Sequence, residues 1–259
     1  MADMDYQQSV MKQFGKNAQN YVNSPLHAKG NDLAWMKQWL IESGKGGILL
    51  DVATGGGHVA LTFAPFFEQV VALDLTPEML KVAEKFIKDK GHSNVSFQLG
   101  NAEDLPFTDE SFDVITCRIA AHHFPQVQLF VQEVYRTLKK DGVLILADNV
   151  APEKEELDLF YNELERRRDP SHFRAYKKSE WISMLEETGF WTESLITFKK
   201  KFIFETWCSN MSLPSEKVKE LNEWILSSDK DIKGFFSVES EEENVLSFQG
   251  QSVVIVALK

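Results

Sequence analysis

Ile48-Leu49-Leu50-Asp51-Val52-Ala53-Thr54-Gly55-Gly56-Gly57-His58-Val59-Ala60 decides the fold of this chain. An apolar run, Ile48 to Leu50, ends in a carboxylate at Asp51. Small residues follow at Ala53 and Gly55 to Gly57, and then a helix begins. The pattern predicts a buried strand, a tight turn and a helix N-terminus that a ligand can approach closely, because glycine places no Cβ in the way. A second apolar run, Val70-Val71-Ala72-Leu73, ends in Asp74. Carboxylates at two consecutive strand ends suit a ligand with sugar hydroxyls and a cationic amine. They repel a pyrophosphate.

Outward from this stretch, strands alternate with helices. Strands are predicted at 48–53, 69–74, 95–99, 112–117 and 142–148, with helices at 57–66, 77–90 and 126–139. Thr76 and Pro77 sit where the N-cap and first residue of the second helix belong. This alternation predicts an α/β fold, a parallel sheet with helices on both faces. Amphipathic helices at 8–22 and 31–43 precede it. Helices at 153–168, 178–188 and 214–227 follow, with a strand near 190–198. Residues 245–248 and 252–258 read as paired strands around Gly250. The 259 residues read as one domain with helical decoration.

Composition narrows the function. A net charge of −11 argues against a sequence-independent grip on nucleic acid or on an anionic membrane. Two cysteines, Cys117 and Cys208, are too few for a disulfide scaffold and lack zinc spacing. The polar N-terminus predicts no signal peptide, and no apolar run approaches the ~20 residues needed to span a bilayer. A cytoplasmic protein is expected. Nothing in the sequence sets its oligomeric state.

In an open parallel sheet, ligands bind beyond the carboxyl ends of the strands. Those ends hold Asp51 to Gly57, Asp74-Leu75, Asn101 to Glu103 and Cys117 to His123. Asp74 suits the two hydroxyls of a ribose. Asn101 can accept a hydrogen bond from an amine such as adenine N6. Asp51 can hold an ammonium, and the glycine turn with its following helix suits a carboxylate. Together these describe S-adenosyl-L-methionine. Each also has a plainer reading, as a tight turn, a helix cap or a turn residue. Their coincidence, in order, at consecutive strand ends favours the ligand.

At this point a likeness becomes specific. Leu50-Asp51-Val52-Ala53-Thr54-Gly55-Gly56-Gly57, Val71-Ala72-Leu73-Asp74-Leu75-Thr76-Pro77-Glu78-Met79-Leu80, Gly100-Asn101-Ala102-Glu103-Asp104-Leu105-Pro106-Phe107, Ser111-Phe112-Asp113-Val114-Ile115 and Glu133-Val134-Tyr135-Arg136-Thr137-Leu138-Lys139-Lys140-Asp141-Gly142 resemble the motifs of class I S-adenosylmethionine-dependent methyltransferases. The branch most resembled includes the menaquinone and ubiquinone C-methyltransferases (UbiE-like), and the likeness covers roughly residues 10–150. It implies a Rossmann-like three-layer sandwich with a seven-stranded, mostly parallel sheet and an antiparallel last strand. It implies cofactor contacts at Asp51, Ala53, Gly55 and Gly57, ribose contacts at Asp74, and adenine contacts at Leu75, Asn101 and Ala102. The backbone at Arg118 would lie near the methionine amine. The face of Phe14, Ala18 and Tyr21 resembles a helix that closes over the cofactor, so residues 8–43 would form a lid over a core at 46–150. Residues 151–259 would then form the acceptor side. Tyr21 is the cofactor contact expected there. Two residues depart from the pattern: Ala53 replaces a customary glycine, and Asn101 stands where Asp is common.

Methyl transfer from a sulfonium is an in-line displacement that depends on alignment in a dry pocket. A small-molecule acceptor is expected. His122 is the candidate base, whereas His123 reads better as a packed structural residue. Arg174, with Tyr176, is the candidate grip for an anionic or carbonyl-bearing acceptor. Two rival readings compete with this one. A Rossmann-type NAD-dependent oxidoreductase is supported by Gly55-Gly56-Gly57-His58-Val59-Ala60 and opposed by Asp51 at the turn. A non-catalytic S-adenosylmethionine-binding protein is the other.

Overall fold

The computed structural model describes residues 11, 13–15 and 30–259. The expected contact at Tyr21 lies outside them.

The apolar runs form strands buried on both faces. They are β1 (Ile48–Val52), β2 (Gln69–Asp74), β3 (Val95–Leu99), β4 (Phe112–Arg118) and β5 (Leu138–Val150). Two further long strands, β6 (Trp191–Ile203) and β8 (Asn244–Leu258), complete the sheet in the order β3-β2-β1-β4-β5-β8-β6, and short β7 (Glu239–Glu241) pairs with β8. β1 to β5 are parallel neighbours, whereas β8, the last strand, runs antiparallel to both β5 and β6. The sheet is therefore the expected seven strands plus the short β7.

Alternate residues of each strand enter different cores. Leu50, Leu73, Ile115 and Leu146 pack with Phe130 and Val134 of α4 (Val127–Thr137) and Trp181 and Leu185 of α6 (Lys178–Thr188). Leu49, Ala72, Val114 and Ile145 face the other way, against Met36 and Leu40 of α1 (Asn31–Ser43) and Phe63 of α2 (His58–Phe63). Ile87 of α3 (Pro77–Asp89) joins this second core. A third, aromatic core lies past the ends of β6 and β8. There Tyr161 of α5 (Glu155–Arg168), Trp207 of α7 (Phe204–Ser209), Ile225 of α8 (Ser215–Ser227) and Ile232 of α9 (Lys230–Phe235) surround Phe202 and Phe248.

The structure corrects one local expectation. Residues 245–258 are not two strands turning at Gly250 but part of one strand, in which Gly250 pairs with Lys200. A Cβ on Gly250 would stand 3.1 Å from the Phe202 ring and 3.5 Å from the Tyr161 ring. Gly250 thus makes room for aromatic rings rather than for a turn. The ends of β5 and β6 also extend beyond the predicted strands, because cross-strand pairing with β8 supports residues that pattern alone leaves in loops.

Gly57, the N-cap of α2, has φ +82° and lies against α3, where a Cβ would come 2.9 Å from Ile87 and 3.1 Å from Ala83. Gly57→Ala combines a left-handed backbone with overpacking and is expected to cost about 2–3 kcal/mol. The urea midpoint measures this, and an unchanged midpoint refutes it.

Candidate functional site

The order of β1, β2 and β4 reverses chain direction beside β1, which opens a crevice at the carboxyl ends of these strands. A cleft of about 1030 Å³, including its open mouth, occupies that crevice. Asp51, Ala53, Gly55 and Asp74 line it, as do Leu75, Asn101, Ala102 and Arg118. Gly57 stands behind the turn, packed on α3.

The turn after β1 is tight because Ala53 and Gly55 both adopt left-handed backbone, with φ +53° and +54°. Thr54 N donates to Leu73 O at 2.9 Å and Gly57 N donates to Thr54 O at 2.9 Å, tying the turn to β2 and to itself. Ala53 adopts this conformation with a side chain, which costs about 1–2 kcal/mol relative to glycine.

Asp74 closes the turn from the far side. Its Oδ2 accepts from Gly55 N at 2.9 Å and its Oδ1 from Thr76 N at 2.9 Å. The Thr76 hydroxyl and the Leu75 N–H also bear on this carboxylate. Burial raises its pKa against the opposing pull of these N–H groups.

Asp51 is fully buried. Thr54 Oγ1 donates to its Oδ2 at 2.6 Å and Thr116 Oγ1 to its Oδ1 at 2.9 Å. No cation pairs with it within 4 Å among the described residues, and burial pushes its pKa up to about 6. A buried carboxylate of this kind favours a positively charged ligand.

Asn101 serves the loop as well as the cleft, since its Oδ1 accepts from Glu103 N at 3.1 Å. Arg118 turns its side chain toward α1. Its Nε and Nη2 donate to Asp32 at 2.7 and 3.0 Å, and the pair is largely buried.

The two histidines after β4 part company. His122 Nδ1 lies 2.6 Å from Asp148 Oδ1, and His122 N donates to Asp148 Oδ2 at 2.9 Å. Burial opposes its protonation, but Asp148 outweighs burial and its pKa is raised. His122 is not among the residues lining the cleft, whereas His123 is. His123 Nδ1 lies 2.6 Å from Ser171 O. A carbonyl only accepts, so Nδ1 carries the hydrogen and Nε2 the lone pair in the neutral ring. Burial and neighbouring His122 push its pKa down to about 4.

Arg174 lies away from the cleft. Its Nη2 donates to Asp158 at 3.1 Å and to Glu180 at 2.9 Å, and its guanidinium covers the Tyr176 ring. Phe14, named above on the face that resembles a closing helix, lines the cleft. Met79 and Phe124 line it too, and sequence reasoning did not place them there. Met79, within the quoted second motif, carried a usable signal, whereas Phe124 reads equally well as core.

A sheet of this order, with a glycine-rich turn between two acids in one cleft, defines an α/β methyltransferase. A family model described as methyltransferase domain matches residues 50–146. The uncharacterized methyltransferase YcgJ of Bacillus subtilis (strain 168) is 36% identical over 247 residues, which is 95% of this chain and 97% of that one. A crystal structure from Bacillus halodurans C-125, provisionally described as a methyltransferase, is 52% identical with a TM-score of 0.86, covering 89% of this chain and 99% of that one. A UbiE C-methyltransferase of ubiquinone and menaquinone biosynthesis, from Citrifermentans bemidjiense, is 31% identical over 150 residues, 55% of this chain and 64% of that one. The chain belongs to the S-adenosyl-L-methionine-dependent methyltransferase family.

Proposed function

We propose that this protein moves the methyl group of S-adenosyl-L-methionine to a small organic acceptor. The observation that carries this reading is that Asp51 and Asp74 line one cleft across a glycine turn, Asp51 with no cation within 4 Å among the described residues. In this reading Asp74 holds the ribose, and Leu75, Asn101 and Ala102 frame the adenine. Ala53 and Gly55 offer backbone to the methionine end, with Gly57 supporting the turn from behind. Asp51 and the Arg118 backbone receive the ammonium. The bound sulfonium supplies an electrophilic methyl, and the protein supplies alignment and exclusion of water.

Residues 46–150 act as the cofactor half and 151–259 as the acceptor wall; the lid expected at 8–43 lies partly outside the described residues. Among the described residues no helix is long and apolar enough to cross a membrane, and both cysteines are unpaired thiols. These features support a reaction in the cytoplasm.

His122 is the proposed acid–base group; it stands beside cleft-lining His123, their ring centroids 4.1 Å apart, and is not itself part of the cleft lining. With Nδ1 on Asp148, its Nε2 is the position that can exchange a proton. Because Asp148 raises its pKa, it takes up a proton only above that raised value, so turnover should climb with pH through it. Arg174, committed to Asp158 and Glu180, fastens the segment before α6 in this reading. His122→Asn is expected to lower turnover about 100-fold or more while S-adenosyl-L-methionine affinity holds. Unchanged turnover removes the role.

The test of the function is incubation with methyl-labelled donor and a metabolite extract, followed by isolation of the labelled product. Calorimetry with the donor and with NAD runs alongside. Tight dinucleotide binding without donor binding overturns the proposal. Donor binding with no labelled product from any extract supports the non-catalytic rival instead.

A further inference from the structure

A second cleft adjoins the first. It measures about 670 Å³ including its open mouth, and it shares Arg118 and Ile119 with the cofactor cleft as common wall. Its other side is built from Phe198 to Lys201 of β6 and Ser252 of β8, and its near rim from Gly30 to Asp32.

Three features set this cleft apart from an ordinary surface groove. The first is Ile119, with φ +53°. A β-branched residue rarely adopts left-handed backbone, and the strain of about 1–3 kcal/mol persists only where surroundings enforce it. Here Ile119 N donates to Ala147 O at 2.7 Å, pinning the strained residue at the partition between the clefts.

The second is Lys200. Its ammonium is part-buried in the cleft wall and donates to Asn149 Oδ1 at 3.2 Å. Among the described residues no carboxylate lies within 4 Å of it and two of its three N–H donors have no acceptor. A partly desolvated ammonium favours an anion that can reach it. Burial drives its pKa down, although Asp32, Glu165 and Asp148 pull the other way.

The third is the charge balance. Arg118 is matched by Asp32 in a two-pronged pair and Lys201 by Glu239, whereas Lys199 and Lys200 line the cleft with no carboxylate partner within 4 Å among the described residues. Lys199 is the exposed one, at the rim, and Lys200 the more buried.

We propose that the second cleft is the acceptor subsite and that the acceptor carries a carboxylate bound by Lys200. A monoanion at Lys200 balances the charge of that ammonium. A carboxylate can accept both remaining N–H donors, and the shared wall at Arg118–Ile119 leads the rest of the acceptor toward the cofactor cleft. Lys200 is a binding residue in this assignment and takes no part in the displacement itself. The inference rests on the methyltransferase reading above and adds the chemical class of its acceptor.

The test uses the intact protein saturated with S-adenosylhomocysteine and two probes of one shape, benzoate and benzamide, titrated by calorimetry. Benzoate is expected to bind saturably and at least about 10-fold more tightly than benzamide, the amount one charge-assisted hydrogen bond confers. Lys200→Met is expected to abolish that preference, and Lys200→Arg to keep it. Lys200→Gln replaces Lys200→Met if the latter melts early. Equal binding of the two probes, no saturable benzoate binding, or an unchanged preference in Lys200→Met overturns the proposal. S-adenosylhomocysteine affinity, measured in each variant, separates the two ideas. Retained affinity without a carboxylate preference sinks the subsite and leaves the methyltransferase reading standing. Absent affinity in the unaltered protein sinks the reading itself.

Discussion

Asp74→Ala is expected to weaken S-adenosyl-L-methionine binding about 100-fold to 1,000-fold, the largest effect of any single substitution in the cofactor cleft. Two charge-assisted hydrogen bonds to ribose hydroxyls disappear together. The loss reaches beyond the ligand, because Gly55 N and Thr76 N both donate to this carboxylate at 2.9 Å. Without it those N–H groups lose their acceptor, and the turn that presents the cleft keeps only the backbone bond from Thr54 N to Leu73 O as its tie to β2. Asp74→Asn separates the two effects. It keeps a side chain of the same shape and one carbonyl acceptor, so the turn should hold while affinity for the ribose falls. Calorimetry on the two variants measures the difference, and an unchanged affinity in Asp74→Ala removes Asp74 from ribose binding.

Asp51→Asn is expected to make the ligand-free protein more stable and the complex weaker. Burial places the Asp51 pKa at about 6, against 3.8 for the ordinary side chain. Above pH 6 the carboxylate is charged in both folded and unfolded chains, and the folded state carries a penalty of about 3 kcal/mol, the equivalent of that difference. As pH falls from 6 toward 4 the folded state takes up its proton first, and the penalty is relieved. Removing the charge relieves it at every pH. The ligand-free melting temperature of Asp51→Asn should therefore exceed that of the unaltered protein at pH 7.5, with the gap shrinking at pH 5. Thr54 and Thr116 can still hydrogen-bond the amide, so the gain is not offset by orphaned hydroxyls. Donor affinity should fall about 10-fold or more, because the ammonium loses its counter-charge. In the unaltered protein, donor affinity should likewise decline below pH 6. A variant that is less stable at pH 7.5, with donor affinity intact, would falsify the assignment.

These two residues trade stability for binding in opposite ways. Asp74 is held by backbone N–H groups and supports the turn, and in the proposed reading it holds the ligand as well. Asp51 is held by two hydroxyls, which orient it without neutralising it. The fold tolerates a buried charge there, which protonation relieves below about pH 6 and a cationic ligand would relieve at neutral pH.

Most of the parallel sheet was legible in the chain. The runs at Ile48–Val52 and Gln69–Asp74 announce themselves because strands buried on both faces need continuous apolar residues. Thr76 and Pro77 mark the start of α3 to the residue. Gly250 misled, since a glycine within an apolar strand can signal either a turn or close approach of another group. The rings of Phe202 and Tyr161, contributed by β6 and α5, decide between them, and no local pattern reveals that they arrive there. Ala53 was legible as a departure from the usual glycine, but its left-handed backbone was not. The pairs His122 with Asp148, Arg118 with Asp32 and Lys200 with Asn149 join residues 26, 86 and 51 positions apart.

The sequence alone determined the cofactor half of this protein. Each of its parts is a contiguous stretch in which an apolar run gives way to an acid and a turn, and strand ends are set by that local change in polarity. Tertiary structure decided the other half. It determined which histidine meets Asp148, which arginine pairs with Asp32, and that Lys200 is part-buried with no carboxylate within 4 Å among the described residues. Charge pairing and burial depend on distance in space, which the order of residues along β4, β5 and β6 does not state until the sheet has closed.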